Sequence, residues 1–269
     1  MLVNRRSLTR FLREQVWNNR WRRIPKMQMA GFLALIALSA AIFSHSISAL
    51  TVFILSIGSV LFFEYCFLRI RRVKPFLLSA SIVTGLIIGL LTSPFLPWYV
   101  VIIAALIAVF SKQFIRLNKQ HIFNPAAFGL FSAGLLFHYD ISWWAVSFQS
   151  WPPHNFFLAV CILILILPGY VSGVYLRRYG SILAFLIVYI FLKYKLTHQA
   201  TVVGLYDPTV IFFSLVMLPE PMTTPRKLNR QPLFGSVVAL ISFLPLMKWL
   251  PDPLLTALLF ANGLFFKFR

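Results

Sequence analysis

The chain has 269 residues, of which 59% are hydrophobic and 12% charged, and its mean hydropathy is +0.83. That is too little polar surface to clothe a water-soluble globule of this size, so the composition indicates a helical protein that crosses a membrane several times. The formal charge of +19 would suit nucleic acid, but the basic residues sit in short clusters between apolar runs, which is the form of a topology signal.

Residues 1–28 read as a basic cytoplasmic leader. Leu8, Phe11, Leu12 and Val16 share one helical face, with Arg5, Arg6, Arg10 and Arg13 largely elsewhere and Trp17 and Trp21 following. This is the pattern of an interfacial helix on an anionic leaflet; docking of an acidic soluble partner is the alternative. The first apolar run lacks a convincing small-residue cleavage site and is expected to be retained as a helix. Measured against the ~20 residues needed to span a bilayer, ten helical segments follow. They lie near 29–44, 49–68, 76–92, 98–110, 124–138, 156–176, 180–192, 207–218, 234–247 and 253–266.

With both termini cytoplasmic, 22 of the 25 basic residues fall on the inner side and only Lys193, Lys195 and Lys248 on the outer. The bias runs through every loop, as the positive-inside rule requires.

Pro-broken stretches occur in pairs. LTSPFLP (91–97) is followed by HIFNPAAFGL (121–130), and LPEPMTTP (218–225) by a terminal PDPLLTALLFANGL (251–264); Pro94 to Pro125 is 31 positions and Pro221 to Pro253 is 32. Five plus five segments turn the second copy upside down, which predicts two inverted repeats over about 29–138 and 156–266 within a membrane domain of 29–269. Asn124-Pro125, Asp207-Pro208 and Asp252-Pro253 each set an N-cap residue before a proline at the first helical position. The Asn124 segment, about 15 residues or roughly 22 Å of helix, falls short of the ~30 Å hydrocarbon core, so its start is expected inside the membrane, where its free N–H groups would favour an electron-rich ligand. The plainer alternative is that these prolines end loops.

The motifs HIFNPAAFGL, LPEPMTTP and PDPLLTALLFANGL, in this order and spacing, resemble the NqrB/RnfD family, the membrane subunits of the sodium-pumping NADH:quinone reductase and of the Rnf ferredoxin:NAD oxidoreductase. The resemblance runs from about the third segment to the end. It implies ten transmembrane helices in two inverted repeats, a fold similar to urea transporters, and electron passage through flavins coupled to ion movement. Members with covalent FMN attach it to a threonine in an outer-loop pattern like Asp-Gly-x-Ser-Gly-Ala-Thr. Here the loop reads HYDISWWAVSFQSW, with Val146 at the attachment position, so no covalent flavin is expected.

Ionisable residues within apolar segments are candidate functional groups. Glu64 is expected either to pair with Arg69 or Arg71 or to serve a site. Glu220 lies in the EPMTT break with Thr223 and Thr224, where it could bind a cation, flavin or quinone; its bland alternative is an ion pair with Arg226 or Lys227. Asp207 and Asp252 read first as N-caps. Cys66 and Cys161 are single thiols without cluster spacing, and the five histidines lie near segment ends, which excludes a stacked haem pair. No metal site is expected, and no Walker or Rossmann loop is present, so nucleotide chemistry would belong to a partner. Trp143, Trp144, Phe148 and Trp151 read as an interfacial aromatic belt, or else as a stacking surface.

The expectation is therefore an all-α integral membrane protein of about ten helices, placed in a bacterial inner membrane. It would be the membrane subunit of a flavin-dependent electron-transport system, served by a separate reductase and open to coupling with ion translocation. A non-covalent flavin (riboflavin or FMN) or quinone would bind near Asn124, Pro125, Glu220, Thr223 and Thr224. The same scaffold would also suit a small-solute or ion transporter or channel.

Overall fold

A computed structural model describes residues 25–72, 78–118, 120–147, 155–197 and 207–268; the expected leader helix, Phe148 and Trp151 lie outside them. Ten helices are present among the described residues: α1 (Pro25–Ser44), α2 (Ile47–Ile70), α3 (Leu78–Leu91), α4 (Trp98–Phe114), α5 (Pro125–Phe137), α6 (Asn155–Tyr170), α7 (Tyr179–Thr197), α8 (Pro208–Phe212), α9 (Gln231–Ser242) and α10 (Pro253–Phe265). Two of them run on into widened turns, α6 through Val171–Tyr175 and α8 through Phe213–Met217. Such π-type turns spoil the regular ladder and free backbone carbonyls locally.

Three helical stretches, Lys26–Ser44, Ile47–Ile70 and Tyr179–Leu196, are long and apolar enough to cross a bilayer. Five others are apolar but shorter, among them Pro125–Phe137 and Pro208–Met217. The chain is a multi-pass helical membrane protein, and its outward-facing leucines, isoleucines and phenylalanines, such as Ile54, Ile187 and Leu240, suit a lipid environment. The ninth expected segment is corrected at both ends: the helix begins at Gln231, closes at Ser242, and gives way to a tight turn over Pro245–Trp249.

Packing follows a recurring scheme. The pairs α1–α3, α2–α4 and α4–α5 recur five places on as α6–α8, α7–α9 and α9–α10, the α2–α3 pair is matched by α7 against the widened turn that continues α8, and the two sets meet at α1–α6 and α5–α10. Glycine allows the closest approaches. A Cβ at Gly129 of α5 would collide with the Ala104 carbonyl oxygen of α4, and one at Gly235 of α9 with the Ser181 carbonyl oxygen of α7. In lipid, where apolar contact alone gives little drive for helices to associate, such close backbone packing holds the bundle together. Between these seams lies a core that includes Leu33, Leu90, Leu130, Phe185, Phe213 and Phe234.

All three Asp/Asn-Pro starts cap their helices as the sequence predicts. Asn124 Oδ1 accepts from the Ala127 N–H at 3.2 Å, Asp207 Oδ1 from Thr209 at 3.0 Å, and Asp252 Oδ1 from Leu255 at 2.7 Å. One short hairpin interrupts the helical scheme: Arg116–Leu117 pairs antiparallel with Gln120–His121 between α4 and α5. It turns the basic link back so that His121 faces the protein interior.

Candidate functional site

The site begins with the end of α8. Its last carbonyls have no helical partners, because the LPEPMTTP prolines forbid continuation. Four side chains, three of them from elsewhere in the chain, satisfy them and the turn that follows. Ser172 Oγ, in the widened turn after α6, donates to Leu215 O at 2.6 Å; Asn124 Nδ2 donates to Met217 O at 3.3 Å; Thr224 Oγ1 donates to Leu218 O; and Arg178 donates to Pro221 O and Pro225 O. Asn124 thus starts α5 with its oxygen and closes α8 with its nitrogen.

Where α5 and the α8 break meet, a cavity of about 100 Å³ opens. Its polar lining is Lys26, Thr84, Lys112, His121, Asn124, Ser172 and Glu220, and Val83, Ile87, Val171 and Val216 supply apolar wall. His121 Nε2 lies 3.2 Å from Glu220 Oε1. Burial acts to raise the carboxyl pKa of Glu220, which sits in the turn beyond the helices. The charge of His121, hydrogen bonds from His121 and Thr223, and the charge of Lys26 together outweigh it and hold the group below the usual carboxylate range.

A second acid stands behind the first wall. Glu64 Oε1 accepts from Lys112 Nζ at 3.0 Å and from Gln113 Nε2 at 2.7 Å, and Gln113 Oε1 accepts from Arg71 Nη1 at 2.7 Å. Glu64 is therefore an interior ion-pair partner of α4; it reaches Arg71 only through Gln113, and the expected direct pairing is corrected. Glu220 likewise pairs with His121 instead of Arg226 or Lys227.

The sequence-derived candidates thus divide. Asn124, Pro125 and Glu220 line one cavity. Thr223 and Thr224 are fully buried beside it and shape the turn, their N–H groups donating to Glu220 O at 3.2 and 3.0 Å. Sequence reasoning passed over Lys26, Lys112, His121 and Arg178. His121 opens the HIFNPAAFGL motif, which was the available signal, but Lys112 and Arg178 looked like ordinary loop charges.

At the opposite end of the bundle, the loop after α5 folds inward. Ser142 N and Oγ both donate to Leu91 O, Ala145 N to Leu90 O at 3.3 Å, and Trp144 Nε1 to Gly89 O at 2.9 Å, so this loop caps the broken end of α3. Trp143, with a left-handed φ of 50°, donates from Nε1 to Asp252 Oδ2 at 2.7 Å. Trp143 and Trp144 are internal braces, which corrects the aromatic-belt expectation for these two. Val146, at the position where covalent flavin would attach, is completely buried.

Compared with known protein families, residues 17–153 match the model of the NQR2, RnfD, RnfE family. The chain belongs to this family. As an NQR2/RnfD/RnfE protein it is a membrane subunit of the electron-transport kind that works with other subunits. The matched span covers α1 to α5, including the hairpin, His121 and Asn124, and stops before the LPEPMTTP and PDP motifs. No curated protein matches the chain.

Proposed function

We propose that this NQR2/RnfD/RnfE protein is the membrane subunit of a flavin-dependent electron-transport assembly, built as two inverted five-helix repeats with the basic end in the cytoplasm. The reading rests chiefly on one observation: the start of α5 and the break after α8, far apart in sequence, line a single cavity with Asn124 and Glu220 on its wall. The recurrence of packed helix pairs supports the repeat. Lys26, Lys112 and His121 on the cavity wall, with Arg178 closing the turn at Pro221 and Pro225, support the orientation.

A non-covalent flavin or quinone would place a polar ring edge here, against the Lys112 and His121 donors and the remaining Ala126 N–H of the α5 first turn. Electrons would come from a separate reductase docking at the basic end, and coupling to ion movement belongs to the same proposal. Val146 offers no hydroxyl for a phosphoester, which supports non-covalent binding. The test is to extract flavin and quinone from the purified wild type and from Glu220→Gln. A clear loss of bound cofactor per chain in the variant supports the site; equal content removes it.

One observation favours a second reading. The cavity of about 100 Å³ is below the ~300–1,000 Å³ typical of drug-sized ligand sites, a size that suits passage of a small solute. Uptake into liposomes by a colourless preparation would select this alternative.

A further inference from the structure

The opposite end of the bundle carries a second cavity, of about 350 Å³, and its chemistry is unlike the first. Asn124, Pro125 and Ala126 line the basic-end cavity; Asp252, Pro253 and Leu254, the corresponding start of α10, line this one. The charge is reversed. Where the first cavity has Lys26, Lys112 and His121, the second has Asp207 and Asp252, with no basic side chain among its described lining residues.

Aromatic rings make up much of the remaining wall. Tyr189 of α7 and Phe243 at the end of α9 stand with ring centroids 4.9 Å apart, and Trp143 lines the cavity as it donates to Asp252. Asp252 is fixed on both oxygens, by Leu255 N–H and by Trp143 Nε1. Asp207 is held on one oxygen by Thr209 N–H, while the other faces Lys193 Nζ at 3.5 Å, with both side chains partly in the open. An ion pair that long and that exposed is weak, so a competing cation can displace Lys193 from it.

We infer that this cavity is a binding site for a small organic ammonium ion, its charge facing Asp207 and Asp252 and its apolar groups seated against Trp143, Tyr189 and Phe243. Each element has a separate physical role. The volume lies within the ~300–1,000 Å³ range of small-molecule sites. Ring faces attract an alkylammonium far better than its neutral counterpart, because the ring quadrupole is negative over the face. The carboxylates set the sign of the ligand; Lys193, which faces Asp207 from outside the lining, offsets part of that preference until the ligand displaces it. An anionic ligand, such as a flavin phosphate, would meet both acids.

The experiment is equilibrium dialysis of the detergent-purified full chain against radiolabelled choline, with 3,3-dimethylbutan-1-ol as its neutral isostere in competition. The expected result is saturable binding of one choline per chain, with the isostere competing at least roughly tenfold less well. Asp207→Asn and Tyr189→Leu should each weaken choline by a factor on the order of three to ten, with extractable flavin unchanged. Lys193→Met, which removes the competing cation and no helix cap, should tighten it; this variant keeps the test decisive if Asp207→Asn fails to fold. Absence of saturable binding, equal competition by the isostere, or unaltered affinity in Tyr189→Leu and Lys193→Met would each overturn the assignment. Displacement by sodium with no effect of Tyr189→Leu would do so as well, since it would mean a simple ion site.

Discussion

His121 and Glu220 stand 99 positions apart and meet at 3.2 Å on the wall of the basic-end cavity. Two short devices bring them together, the hairpin before α5 and the proline turn after α8. Removing either partner takes a part-buried polar contact away from the other. His121→Ala should lower stability by about 1–3 kcal/mol, and a His121/Glu220 double-mutant cycle followed by thermal unfolding in detergent should show a coupling of about 0.5–3 kcal/mol. Additive single effects would mean that the two side chains do not interact.

The Glu64 network makes a contrasting prediction. Lys112 and Glu64 are both well buried at 3.0 Å, so Glu64→Ala strands a buried ammonium and should cost about 3–5 kcal/mol. Replacing both, as Glu64→Leu with Lys112→Met, should recover most of that loss, because two apolar side chains of similar volume need no partners. Unfolding midpoints of the three variants provide the comparison.

Close helix packing can be probed at Gly129. Gly129→Val would drive a side chain into the Ala104 carbonyl and the Ala108 side chain of α4, and overpacking of that kind costs about 1–3 kcal/mol or more. Gly58, where a Cβ would meet nothing within 4 Å, should accept Gly58→Ala with almost no change. Expression level and unfolding midpoint read both variants.

Val146→Thr tests the loop after α5. It restores a hydroxyl at the attachment position, yet the side chain is completely enclosed. The variant should carry no covalent flavin, and an unsatisfied buried hydroxyl should cost about 1–3 kcal/mol. Flavin fluorescence in a denaturing gel is the readout, and a fluorescent band at the chain's mass would contradict the enclosed loop.

Much of the scaffold was legible because its signals are local. Asn124, Asp207 and Asp252 before proline announce helix starts through capping chemistry that depends on three or four consecutive residues. The apolar runs gave ten helices for a related reason, since length and hydropathy are properties of single segments. The site was less legible because its contacts are distant in sequence. Nothing near Glu64 indicates Lys112 as its partner, and Arg178 reads as one of two loop arginines until its guanidinium is seen closing the turn at Pro221 and Pro225. Trp143 and Trp144 misled in the same way: aromatic residues next to a membrane-spanning helix suit the interface by composition, but here hydrogen bonds to Asp252 and Gly89 draw both indoles inward.

The most direct test of the proposed redox role is the visible absorption spectrum of the detergent-purified protein from flavin-replete cells, recorded before and after acid precipitation. A flavin spectrum that moves into the supernatant with the acid is expected. Colour that stays with the pellet would mean covalent attachment and contradict the reading of Val146, and a colourless protein would contradict the flavin role itself.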